Sequence, residues 1–229
     1  MRVHLQRDVE KLKRRLLVRS TEVEEDVRLA ARAIAERDEE LARQVVAREE
    51  QTNAMEVDVE EDCLKILALH QPVAGDLRYI IAALKIDRDL ERIADLAAHI
   101  AERGLALFAE PPLDIPFRLD EMAEKAQAML KKALDAFVSL NSAAAHEVCA
   151  VDSEINAIKK DTFRLVRLAV MEAPWRFDAL MQVMHIARHL ERIADHATNI
   201  AEDLIYLVEG RIVRHTSEVA SPRGPETEG

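Results

Sequence analysis

The chain has 229 residues and a formal net charge of −11, with 43 acidic residues against 32 Lys and Arg. It lacks the clustered basic excess that neutralising nucleic-acid phosphates requires, so nucleic acid is not an expected partner. Five Gly, two Tyr and one Trp in a chain rich in Ala, Leu, Glu and Arg disfavour sheets and favour long helices, so an all-α fold without strands is expected.

The first residues, Met1-Arg2-Val3-His4-Leu5, form no apolar signal region. No stretch reaches the roughly 18 apolar residues of a membrane span, so a soluble, cytoplasmic protein with no transmembrane segment is expected. A first helix is predicted over about 4–36, with Leu5, Val9, Leu12, Leu16, Val23, Val27, Ala30 and Ile34 at helical spacing. A polar break at Arg37-Asp38-Glu39 leads into a second periodic run, Leu41, Val45, Thr52, Met55, Val59, Cys63 and Ile66, which Pro72 ends. Gly75-Asp76 opens a third helix, and Gly104 is its expected C-terminal cap.

Pro111, Pro112 and Pro116 mark a stiff linker. Three further helices follow, over about 119–140, 143–171 and 177–208, with Pro174 breaking the chain as Pro72 does and Gly210 closing the last helix. The expected organisation is two tandem three-helix bundles, 1–108 and 117–213, joined by the linker 109–116 and followed by a disordered tail over 214–229. Cys63 and Cys149 stand far apart among apolar helix neighbours, as buried reduced thiols do.

The organising feature is a repeat. Asp87 to Glu102 (DRDLERIADLAAHIAE) returns as Ala187 to Glu202 (ARHLERIADHATNIAE), identical at 11 of 16 positions. Such identity makes the chain an internal duplication. Its apolar residues (Ile86, Leu90, Ile93, Ala97, Ile100 and their counterparts) define one packed face. With Ile93 at zero, Glu91 and Asp95 lie roughly 160° away on either side, so the carboxylates are expected to face away from the core.

Two like charges four residues apart repel by about 0.2 to 0.5 kcal/mol, and having the pair twice asks for a cation. A weaker match, Glu49-x-x-x-Asn53 against Asp152-x-x-x-Asn156, places more polar groups about 120° to 160° off the core of the second helices. Oxygen-only ligand sets of this kind suit iron, manganese, magnesium or calcium. A plain solvated face accounts for the same residues, with Glu91 paired to Arg88 and Asp95 to Arg92. His185 and His189, four apart, have the spacing to pinch a transition metal, but they sit nearer the apolar flank and have Lys85 and Asp89 as counterparts, so packing or polar-flank histidines are the favoured reading. No Glu-x-x-His accompanies Glu91 or Glu191, and no phosphate loop or nucleophile elbow appears.

With both LERIAD runs, Gln71-Pro72-Val73-Ala74-Gly75-Asp76-Leu77-Arg78 and the closing Tyr206-Leu207-Val208-Glu209-Gly210-Arg211, residues from about 4 to 215 closely resemble the PhoU family of phosphate-specific transport system accessory proteins. The resemblance implies a non-enzymatic negative regulator of the phosphate-starvation response. It would act between the phosphate ABC transporter, on its ATPase side, and a membrane sensor histidine kinase, as a cytosolic protein, often a homodimer, at the inner face of the membrane.

The resemblance also implies surface metal sites that hold iron, zinc or another divalent metal. They would be formed by Glu49, Asn53, Asp87, Glu91 and Asp95 in the first half, and by Asp152, Asn156, Glu191 and Asp195 in the second. Asn53 and Asn156 replace an acid common in the family, and Asp87, whose counterpart is Ala187, makes the first site the stronger. The alternative is a carboxylate-bridged metal oxidase or a metal-storage protein. The self-repelling pairs further predict that replacing both acids of a pair by Gln and Asn leaves apo stability unchanged or raises it by a few tenths of a kcal/mol.

Overall fold

A computed structural model describes residues 2–211 apart from 114 and 116; the side chains of residues 2, 3, 51, 53 and 152 also lie outside the described set. The expected tail over 214–229 and part of the expected linker lie outside the described residues. The described residues form helices and turns without strands: α1 (Arg2–Glu36), α2 (Glu39–His70), α3 (Ala74–Phe108), α4 (Leu119–Ser139), α5 (Ser142–Glu172), a 3-10 turn at Pro174–Arg176 and α6 (Phe177–Glu209).

Local chemistry sets the same corner twice. Arg37 and Leu140, both with positive φ, end α1 and α4, and an Asx cap starts the next helix each time. The Leu41 N–H donates to Asp38 at 2.9 Å, and the Ala144 N–H donates to Asn141 at 3.1 Å, satisfying donors the helix cannot. The second corner of each half turns at proline. Gln71 closes α2 in the left-handed conformation before Pro72, whereas Pro174 opens the 3-10 turn ahead of α6.

Gly104 does not cap α3, which runs on to Phe108. A Cβ there would meet Ile34 Cδ1 at 2.5 Å, so the glycine is where α1 and α3 approach closely. The cap is Arg37, whose Nη2 donates to the carbonyls of Leu107, Phe108 and Glu110 at 3.2, 3.1 and 2.8 Å. The carbonyls at the end of α3 are satisfied by Arg37, just past α1, which lets α3 outrun its glycine.

In each half the third helix packs against the other two, and the most extensive contact of all is between α3 and α6. Lys85 Nζ meets buried Asp203 at 3.1 Å, and Asp89 takes His196 Nδ1 at 2.8 Å, so the two helices run antiparallel. One apolar cluster, with Leu90, Ile93, Leu190 and Ile193 among its members, runs through both halves. The repeats thus share a seam instead of only a linker.

Candidate functional site at the repeated carboxylates

In the first half the site is built around a residue of α1. Arg19 is 0% exposed, and its Nε lies 2.7 Å from Asp87 Oδ1 on α3, which is itself 2% exposed. The N–H is not aimed at that oxygen, so Arg19 Nε and Asp87 Oδ1 make an ion contact without hydrogen-bond geometry, and Arg19 Nη2 has no hydrogen-bond partner either. Nη1 instead donates to the Thr52 carbonyl of α2. Glu56, Glu91 and Asp95 surround the same guanidinium and favour its charge, against a burial that disfavours it.

Burial pushes the Asp87 carboxyl up to about 7; Arg19 opposes this, and Glu56, Glu60 and Glu91 add to it. Glu91 is raised as well, by burial first and then by Asp95. Arg92 lies 3.1 Å from Glu91 and 3.3 Å from Asp95, so one exposed guanidinium holds both. The expected pairing of Glu91 with Arg88 is therefore replaced.

The expectation that the acids face solvent needs correcting for Asp87 and in part for Glu91 and Asp95, whose side chains are only 17% and 22% exposed. The one-sided helix reading assumed a single packed face. Since α1, α2 and α6 all pack on α3, the covered arc exceeds half the helix, and Asp87, about 120° from Ile93, falls within it. Glu49 is half-buried on α2, next to Arg48, which binds Asp26 and, at 2.6 Å, Glu22 of α1. Thr52 Oγ1 donates to Asp26 at 3.2 Å, so a polar network continues from the acids across α1 and α2. The side chain of Asn53 lies outside the described residues.

In the second half Lys159 of α5 pairs with half-buried Glu191 through its Nζ. Asp195 is exposed and Asn156 half-buried, while the side chain of Asp152 lies outside the described residues. A cavity of about 340 Å³ opens beside the pair, lined by Lys159, Phe163, His185, Arg188, Glu191 and Arg192 among others. Arg188 and Arg192 of the motif, joined by Lys159 from α5, make this wall basic. Among the described residues, no group of three or more His, Cys, Asp or Glu side chains is arranged to hold a metal ion.

His185 and His189 join His99 of α3 in a ring stack, with centroids 6.5 Å and 5.6 Å from that of His189. Burial, reinforced by His99, Arg103, His185 and Arg192, depresses His189 to about 4. A base whose folded pKa is lowered contributes stability that is present above its ordinary value and lost as pH falls through the folded one. The stability of the wild type relative to His189→Gln should therefore drop between pH 6.5 and pH 4 in urea titrations. A difference independent of pH would remove the assignment.

Arg19 was the functional residue that periodicity passed over. Its signal was present as a missing apolar residue: Leu12, Leu16 and Val23 leave the stripe open where Arg19 falls. A cation on a buried stripe asks for a buried anion, and Asp87 provides it.

Comparison with known proteins bears on what this arrangement belongs to. The family model described as "PhoU domain" matches residues 20–104 and again 119–204, the two repeats. The chain is 38% identical over 209 residues to the "Phosphate-specific transport system accessory protein PhoU homolog" of Pseudomonas putida, covering 91% of this chain and 82% of that one. It is 36% identical to the Aquifex aeolicus protein of the same name, covering 91% and 95%. A crystal structure of PhoU from Pseudomonas aeruginosa superposes with a TM-score of 0.87 at 36% identity, over 90% of this chain and 99% of that one. The phosphate transport system regulatory protein PhoU from Streptococcus pneumoniae does so with a TM-score of 0.81 at 28% identity, over 91% and 99%. With both repeats matched, the all-α tandem architecture shared and the LERIAD helices forming the central seam, the chain belongs to the PhoU family.

Proposed function

We propose that the protein is a regulatory accessory protein of phosphate uptake, restraining the phosphate-starvation response by contact and not by chemistry. The observation that carries this is the match of both repeats to PhoU domains across nearly the whole chain. Its partners in this reading are the ATPase side of a phosphate ABC transporter and a membrane sensor histidine kinase, met at the cytoplasmic face, with the protein acting as a homodimer. No helix among the described residues is long and apolar enough to cross a membrane, which suits a peripheral role.

Among the described residues, six of the fourteen exposed large apolar side chains lie at the proline corners. Leu69, Val73 and Leu77 flank Pro72, and Met171, Trp175 and Phe177 flank Pro174. Trp175 is the sole tryptophan and is 81% exposed. Exposed aromatic anchors of this kind carry binding energy once covered.

The test is binding of the purified chain to the reconstituted transporter and to the kinase, with and without phosphate. Trp175→Ala should weaken transporter binding by about 2 kcal/mol, roughly 30-fold, with thermal stability unchanged. No binding to either membrane protein would reject the reading, and unaltered binding by the variant would reject the corner.

A further inference from the structure

We infer that Arg19 and Lys159 occupy the positions of the divalent cations that the acidic motifs would otherwise gather, so that this chain holds both motifs with cations of its own and needs no metal there. The geometry is specific to each half. Arg19 reaches from α1 between α2 and α3, fully buried, with Asp87 against its Nε and Glu56, Glu91 and Asp95 around it. A metal ion bound by Glu91, Asp95 and Asp87 would have to displace a guanidinium that has no route to solvent and does not lose its charge. Both would carry positive charge in the same dry space, where repulsion is least screened.

In the second half the cation is an ammonium. Lys159 Nζ sits on Glu191, the residue equivalent to Glu91, and Arg188 and Arg192 line the cavity beside it. Here Glu191 is the acid that a cation would need first, and it is already engaged. The two halves differ in helix, residue type and burial, yet each brings one basic side chain from another helix into its acidic group: Arg19 against Asp87, with Glu91 and Asp95 in its field, and Lys159 against Glu191. The orphaned Nε and Nη2 of Arg19 fit this reading: the guanidinium is held there by surrounding charge more than by directed hydrogen bonds.

The experiment measures metal uptake by the full chain, independently of any partner. Wild-type protein dialysed against Mn²⁺, Zn²⁺ or Fe²⁺ should retain less than one ion in ten chains, and its thermal midpoint should not move on adding the ion or a chelator. Arg19→Ala should gain a midpoint rise with Mn²⁺ or Zn²⁺ and bind one ion at least tenfold more tightly than the wild type. That gain should vanish when Glu91→Gln and Asp95→Asn are added.

Lys159→Ala, which removes a partly exposed side chain and keeps the protein folded even if Arg19→Ala does not, should gain binding that Glu191→Gln abolishes. A wild type that takes up an ion and loses it with Glu91→Gln/Asp95→Asn overturns the inference. So does a folded Lys159→Ala as indifferent to metal as the wild type.

Discussion

Arg19→Met will lower the stability of the protein by about 3–5 kcal/mol at pH 8, the cost of leaving a buried charge without its partner. The substitution keeps most of the volume that Arg19 fills, so the loss is electrostatic. Asp87, ordinarily near 3.8, holds its proton up to about 7 even with Arg19 beside it. A carboxyl raised in the fold contributes stability that is complete below its ordinary value and withdrawn as pH rises through the folded one.

Removing Arg19 lifts Asp87 and Glu91 further, so the variant's deficit should be greatest at pH 8 and much smaller at pH 5, where both acids take up protons. Urea unfolding at the two pH values measures it. Equal losses at both would show that Arg19 acts by packing. The same geometry reverses an expectation drawn from the acids alone: replacing Glu91 and Asp95 by Gln and Asn takes partners from Arg19 and Arg92, so stability should fall instead of holding or rising.

The second large effect concerns the seam. Leu96 is buried on the face of α3 that also carries Lys85, Asp89 and His99 to α6, and Leu96→Ala is expected to cost about 2–5 kcal/mol through lost transfer energy and a residual cavity. Because the apolar cluster is continuous across both halves, the loss should be felt by both. Calorimetry should give one transition that moves down as a unit, and amides of α5, in the other repeat, should lose hydrogen-exchange protection as much as those of α2. Unchanged protection in α5 would mean that the repeats fold as independent domains.

Much of this was legible in the chain. The prolines, the polar break at Arg37-Asp38-Glu39 and the apolar periodicity placed the helix ends within about two residues, apart from the end of α3, because these signals are local. Gly104 misled for a tertiary reason: its use is a close helix crossing with Ile34, and a cap from Arg37 lies seventy residues away in sequence. The repeated acids were visible as a pattern, but their burial was not. Periodicity gives one apolar direction for α3, whereas three neighbouring helices cover it, and Asp87 lies on the flank that only the third dimension reveals. Arg19 and Lys159 lie on other helices, outside the repeated motif, so nothing in LERIAD pointed to them.

The antiparallel seam also fixes where the two proline corners sit. Lys85 lies opposite Asp203 and Asp89 opposite His196, so the start of α3 lies at one end of the seam and the start of α6 at the other. A helix of 35 residues spans about 50 Å, which is then the reach between Val73 and Trp175. If both apolar tips dock a partner, as proposed for the two proline corners, the protein is bivalent. It can hold two partners at a set spacing, and losing one tip would cost far more than half of the combined avidity, because the second engagement benefits from the effective concentration created by the first.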